Sequence, residues 1–400
     1  MRRHRKKRIK IVPILTLLII IVGSFYGIHI LKKSRGSSEP LDAYINNEVK
    51  EKEYSTSLIM VGDVLIHDRL YNDAKSGNTY NFKKYLPYIK EYVKKFDLAY
   101  YNQETILGGS SIGLSSYPSF NSPQEVGDAM IDAGFNMVSL ATNHTLDRGV
   151  KATKLSRDYW NKQNGVQAVG SYNSFNEKEE IESRVLESNG ITYAFLNYTY
   201  GTNGIPVPYG KEYVVNLWEN NNDSYKKQVE SDINKLRDKV DVLIVAMHWG
   251  IEYTHTPTDI EKRTAKYLSS LGVDIIIGTH PHVIQPVEYV GDTLVFYSLG
   301  NFISAQTSDS CVNYKCFVGL MSSLKITKNV NEDDIKINIS NIKNELIFTY
   351  HDNYKNYMVI PFSNKDISKY LKDYKTIYKK YAKIVDSSDE RIELVSMYEE

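Results

Sequence analysis

The stretch "VDIIIGTHPHVIQP" (Val273–Pro286) sets a run of apolar residues directly before two histidines, His280 and His282, with Gly278 ahead of them and Pro281 between. The run is continuous rather than alternating, as expected of a strand buried on both faces. A strand that only packs has no use for two imidazoles at its exit. A metal ion does, so the chain is expected to carry chemistry at the ends of buried strands.

Working outward, six more runs of this kind occur: "SLIMV" (57–61), "FDLAYY" (96–101), "NMVSLA" (136–141), "TYAFLNY" (192–198), "VDVLIVAM" (240–247) and "TLVFYSL" (293–299). Helix candidates lie between several of them, such as "NFKKYLPYIKEYVKKF", "SPQEVGDAMIDAGF", "GVKATKLSRDYWNKQNG" and "DIEKRTAKYLSSLG". Strands alternating with helices of this length predict an α/β domain with largely buried strands. Beyond Cys316 the segments "CFVGLMSSLKIT" and "DIKINISNI" alternate and predict antiparallel strands at the domain edge. A Lys- and Tyr-rich helix, "DISKYLKDYKTIYKKYAKIV", and an acidic tail follow.

The strand exits hold the candidate site. The first leads to Asp63 and His67, the second to Asn102 and Glu104, and the third to Asn143, His144 and Asp147. The fifth leads to His248, Glu252 and His255, the sixth to His280 and His282, and the seventh to Asn301. In open α/β sheets ligands bind outside the carboxyl ends of the strands. Imidazoles mixed with carboxylates suit Zn, Mn or Fe rather than Ca or Mg. Asp63, Glu104, Asn143, His248, His280 and His282 are the candidate ligands, with His67 as a further one. That is too many for one ion that stays open for chemistry. Two divalent ions about 3.5–4 Å apart, sharing a carboxylate, fit the count and are a recurrent device for displacement at phosphorus. His144 is the candidate general acid and Asp147 its orienting partner. Arg69, Arg148 and Asn301 are candidate substrate contacts. Taken singly each residue has an ordinary reading: Asp63 or Asn143 as a turn or helix cap, Glu104 as a solvated loop residue, His67, His255 and His351 as satisfied polar residues. Their concurrence at one edge favours the metal.

Charge is unevenly placed. Residues 1–35 carry ten Lys or Arg and no acid, and the net charge is +1, which leaves about −9 for residues 36–400 (1 − 10). An acidic body argues against nucleic acid as partner. Between the basic clusters, "IVPILTLLIIIVGSFYGIHIL" (11–31) has no formal charge, and roughly 20 apolar residues cross a bilayer. A signal peptide would have a shorter apolar core of about 7–15 residues and a small-residue cleavage site. The run is read as a single transmembrane helix, with residues 1–10 a basic cytoplasmic tail, 32–54 a polar tether and the main domain outside the cell. Cys311 and Cys316 are the only cysteines. A disulfide between them suits that compartment, and the spacing alone leaves the matter open.

"GDVLIHD", "NQET", "ATNHTLDRG", "MHWGIEY", "GTHPHVIQPVE" and "YSLGNFI" occur in the order seen in the capsule-synthesis CapA family of poly-γ-glutamate biosynthesis, which is similar in turn to calcineurin-like metallophosphoesterases. The resemblance runs over roughly 55–305, with 306–365 as strands completing the domain and 366–400 as the terminal helix and tail. It implies a four-layer α/β/β/α metallophosphoesterase-like sandwich behind the transmembrane helix. It also implies a protein acting outside the cell in making or exporting the polymer, alongside membrane subunits of a synthesis complex. Asp63, Asn143 with His144, His248, and His280 with His282 match the metallophosphoesterase pattern. Leu65 stands where a histidine is expected, Glu104 where an aspartate is expected, and Thr145 where an acid usually follows. Two function classes stay open: a metal-dependent hydrolase acting on a phosphoester or envelope substrate, and a non-catalytic subunit that binds the anionic polymer. No phosphate-binding loop of the G-x-x-x-x-G-K-[ST] type is present, so polymerisation would belong to a partner.

Overall fold

A computed structural model describes residues 3–6, 52–218, 223–307, 309–331 and 334–399. The chain builds half of one sheet, then the whole of a second, then returns to finish the first. Strands β1 (Lys52–Leu65), β2 (Leu98–Gln103), β3 (Met137–Ser139) and β4 (Gln167–Val169) lie side by side and parallel. β5 (Ile191–Thr199), β6 (Val242–His248) and β7 (Ile275–Thr279) start the second sheet, also parallel. The hairpin of β8 (Val287–Val290) and β9 (Thr293–Phe296) extends it on one side, and Leu186–Ser188 pairs antiparallel with the start of β5 on the other. β10 (Asn301–Ser304) returns to lie parallel to the end of β1. β11 (Val318–Asn331), β12 (Asp334–Asp352) and β13 (Lys355–Pro361) follow as an antiparallel meander beyond it.

The two-residue period of a strand divides its side chains between two faces. On β1, Leu58 and Met60 enter the core between the sheets, joined there by Ile244 and Ala246 of β6. Ile59 and Val61 point the other way, into a core shared with helices α1 (Asp68–Ala74), α2 (Pro87–Val93), α3 (Glu125–Ala133) and α4 (Gly149–Trp160). Beyond α5 (Phe175–Glu182), helices α6 (Asp223–Arg237) and α7 (Asp259–Ser270) cover the opposite flank, against Leu243, Val245 and Met247 of β6. The layers run helix, sheet, sheet, helix, the order that the family resemblance implied, with the strands buried as their apolar runs predicted. Helix α7 opens with a reciprocal cap between Thr258 and Glu261.

Two glycines let backbones meet under the site. A Cβ on Gly62 would stand 1.8 Å from Gly300 O, and one on Gly278 would stand 1.9 Å from Tyr297 O. Only a residue without a side chain fits either place. The sheets are also tied together by Asn197 of β5, whose Oδ1 accepts the Leu140 and Ala141 N–H groups at 3.0 and 2.6 Å. That tie fixes the loop leading to Asn143 and His144.

Several expectations shift. The antiparallel strands expected at the domain edge extend one flank of the first sheet: β11 pairs along β1, Ser322 to Val330 against Met60 to Lys52, and β12 lies beyond it. Lys52–Tyr54, expected in the tether, already belong to β1. Sequence periodicity missed α6 because its apolar stripe is only Val229, Ile233 and Leu236 in a highly charged helix. The tail is not loose, since Ile392–Leu394 pairs with Ile342–Asn344. Cys311 and Cys316 form the disulfide that spacing left open. The expected transmembrane helix at 11–31 lies outside the described residues, and no described helix is long and apolar enough to cross a membrane. Of the basic tail, Arg3–Lys6 runs as a strand beside Asp334–Ile337.

Candidate metal centre

At the carboxyl ends of both sheets, polar side chains from six strand exits meet in the buried interior. Glu104, His280 and His282 present ligand atoms that all lie within 4.8 Å of one another. Glu104 follows β2, and the two histidines follow β7, where the backbone adopts left-handed angles at both (φ 98° at His280, 59° at His282). Such angles are uncommon for residues with side chains, and strain of this kind gathers at functional sites. Here it turns two successive imidazoles off the strand into one pocket.

The hydrogen bonds fix the tautomer of His282. Its Nδ1 lies 3.1 Å from Asp63 Oδ2 and 3.1 Å from Asn301 Oδ1, both acceptors, so Nδ1 carries the proton. Nε2 then offers its lone pair toward Glu104 Oε1 at 3.5 Å. A carboxylate behind a histidine is the arrangement that orients a metal-binding imidazole. Asp63 is otherwise engaged as well, by Asn102 Nδ2 at 2.8 Å and His280 N at 3.3 Å.

Three buried atoms here have no hydrogen-bond partner: Glu104 Oε1, Glu104 Oε2 and His280 Nδ1. A buried polar atom left unpaired is costly, and three in one cluster call for a positive charge among them. Burial first, and then the Asp63 carboxylate, push the Glu104 carboxyl well above its usual range. Burial and the neighbouring imidazoles hold His280 and His248 well below theirs, so both rings are neutral. Neutral imidazoles and a carboxyl that is uncomfortable alone fit a divalent cation, and the donor set of two nitrogens and a carboxylate suits Zn, Mn or Fe.

The remaining expected ligands surround this triad. His248 Nε2 lies 3.8 Å from Glu104 Oε1 but donates to Asn143 Oδ1 at 2.8 Å, while its Nδ1 faces Thr279 Oγ1 at 3.0 Å. His67 is set apart from the triad. Its Nδ1 faces Leu65 O at 3.2 Å and Ala305 N at 3.4 Å, and its ring packs edge-on against Phe120. Burial holds its pKa down at about 4.

Beside the triad opens a cleft of about 920 Å³ lined by His67, Arg69, His144, Asp147, Glu252 and Tyr253, among others. His144 Nδ1 donates to Asp147 Oδ2 at 2.7 Å, and the same oxygen takes the Phe120 N–H. The imidazole is thereby held edge-on to the Phe120 ring in the cleft wall. Arg69 lines the cleft too. Arg148 does not, since its guanidinium is spent on Ile112 O, Gly113 O and Ser115 Oγ. Asn301 is buried behind His282, bonded to Gln306 and to Cys316 O, a place from which it orients rather than touches a substrate.

Three contributors were not read from the sequence as site residues, and Asn102, placed at a strand exit there, was given no role. Asn102 holds Asp63 and lies 3.4 Å from His248 Nδ1. Thr279 faces the same nitrogen. Asn203, at φ 52°, accepts from Asn143 Nδ2 at 3.1 Å. Tyr200 packs over His280, ring centres 4.7 Å apart. The signal for the last two was "TYGTNG" after β5, the one strand exit to which no donors had been assigned.

Comparison with known proteins identifies the family. Residues 57–306 match the family described as "Bacterial capsule synthesis protein PGA_cap". The chain is 32% identical over 186 residues to "PGA biosynthesis protein CapA" of Bacillus subtilis (strain 168), covering 44% of each chain. It is 30% identical over 278 residues to "Capsule biosynthesis protein CapA" of Bacillus anthracis, covering 66% of this chain and 64% of that one. The matched part thus spans less than two thirds of either relative. With the family's whole matched region folded around the buried triad, this chain belongs to the bacterial capsule synthesis protein family PGA_cap.

Proposed function

We propose that the protein is a membrane-anchored, extracellular, metal-dependent component of poly-γ-glutamate capsule synthesis or export, working beside membrane subunits that carry out polymerisation. The observation that carries this reading is the trio of unpaired buried atoms on Glu104 and His280 beside an open cleft. Glu104, His280 and His282 would hold the first ion. A second would need His248, Asn143 or Asp63 to exchange present hydrogen bonds for it. When bound, such an ion supplies Lewis acidity to an anionic group in the cleft. The names of both relatives support the capsule assignment.

A second reading, hydrolysis of a phosphoester or another envelope substrate, is favoured by one feature: the His144–Asp147 pair in the cleft wall. With Nδ1 held by Asp147, Nε2 is the ring atom left to pass a proton to a leaving oxygen. A subunit that merely held polymer would have no need of that pair.

The two readings separate in one experiment. The full chain is purified in detergent, stripped with chelator, reloaded with Mn or Zn, and assayed on a chromogenic phosphodiester. Turnover that His144→Ala abolishes while retaining metal supports hydrolysis. Metal uptake without turnover, with binding of a glutamate polymer, supports the polymer-holding role. Absence of metal uptake overturns both. The anchor is tested by alkaline extraction of membranes and by protease access in intact cells. A tail kept in the cytoplasm cannot pair with Asp334–Ile337, so the anchored form leaves that edge open.

A further inference from the structure

β12 and β13 are joined by a two-residue turn, Asn353–Tyr354, across the Asp352 to Lys355 pair. Both turn residues have positive φ, 47° and 63°. This is the tight hairpin turn that normally takes Asn-Gly, because a side chain at the second position is disfavoured. Here the chain places a tyrosine there. The ring is not idle. The Arg69 guanidinium lies 3.8 Å above its centre, and His351 stacks on it with ring centres 5.0 Å apart.

Arg69 belongs to the wall of the metal cleft, with Thr307 Oγ1 accepting from it at 3.1 Å. Among the described residues it is the one Lys or Arg lining that cleft, and no carboxylate pairs with it. Asp68, Asp147 and Glu252 line the cleft also, so an anion entering it meets a single fixed cation. A guanidinium offers five N–H donors in a rigid fork suited to carboxylate or phosphate. Stacking on Tyr354 removes much of the rotamer freedom that binding would otherwise have to remove. The residues that hold Arg69 still, Thr307 and Tyr354, lie beyond the region matched by the family.

We propose that Arg69, immobilised by Tyr354 and Thr307, is an oxyanion seat that fixes one carboxylate or phosphate of the substrate at a set place in the metal cleft. The C-terminal hairpin is then a specificity element and not only a completion of the sheet. This rests on the reading of the cleft as the substrate site.

The test uses the full chain in detergent, loaded with Mn, and calorimetric titration with two probes: a short γ-linked glutamate oligomer and a phosphodiester. Metal content is measured for every sample. Arg69→Ala is expected to weaken binding of the preferred probe about ten- to a hundredfold, the scale of a lost charged hydrogen bond. Tyr354→Ala is expected to weaken it about three- to tenfold by freeing the guanidinium, and Tyr354→Phe, which keeps the ring, to match the wild type. The probe that loses affinity identifies the oxyanion as carboxylate or phosphate. Equal affinities in all variants, a lower melting temperature as the sole effect, or no binding of either probe by the wild type would overturn the proposal. A wild type without metal that still binds a probe through Arg69 would instead count against the metal reading alone.

Discussion

Glu104 Oε1 stands 3.5 Å from His282 Nε2. That is long for a hydrogen bond. It equals the separation of two ligand atoms around a tetrahedral ion, about 3.4 Å for bonds of roughly 2.1 Å. The gap has the dimension of a shared cation, and the unpaired Glu104 oxygens supply its charge complement.

Glu104→Gln keeps the shape and removes the charge. Loss of an outer residue typically lowers metal affinity about 10–100-fold, so loss of this inner one is expected to exceed 100-fold. Calorimetry or Mn electron paramagnetic resonance with the purified full chain checks this. Affinity within tenfold of wild type would remove Glu104 from the ligand set.

The pH response has a definite sign. Burial raises the Glu104 carboxyl, so the metal-free folded state keeps a proton that the unfolded chain has released. Stability from this group is full below the usual glutamate pKa and lost as pH rises through the raised value. His248 and His280 are depressed, so their contribution is full above the usual histidine pKa and lost as pH falls below it. In chelator, Glu104→Gln should therefore melt higher than wild type on the alkaline side, and the difference should shrink toward acid. Metal uptake should strengthen with pH, since binding expels the Glu104 proton. Melting curves across pH check both.

Asp147→Asn removes the carboxylate charge that holds and orients His144. If the cleft hydrolyses its substrate, turnover should fall by about 10²-fold or more, within the range of general acid catalysis, with metal content unchanged. An equal loss of metal would reassign Asp147 to structure.

Asn203 fixes the amide of Asn143 so that its oxygen faces His248. Asn203→Ala should lower metal affinity about tenfold, as outer-shell changes do, with little change in melting temperature. Metal affinity equal to wild type would show that Asn143 holds its orientation unaided.

Much of the fold was legible because continuous apolar runs such as "VDIIIG" admit few readings, and because alternation assigns each face of β1 and β6 without further information. Length and charge hid the rest: β4 is three residues, and α6 has a stripe too narrow to stand out. At the site, residue types at strand exits pointed to one edge, and the structure brings Glu104, His280 and His282 together there. What spacing could not reveal was rank. Asp63 sits behind His282, Asn301 orients rather than contacts, Arg148 braces a loop, and His67 faces backbone. Each of these depends on side-chain direction, which is set by strain and tertiary hydrogen bonds rather than by position in a motif.

The left-handed backbone at His280 and His282 also limits how this site can change. Glycine, asparagine and aspartate tolerate those angles best, and glycine and asparagine bring no imidazole and no charge. A saturation library at the two positions should therefore return aspartate as the main replacement that both folds well and retains metal, so conformation leaves few routes away from this chemistry before selection on function begins.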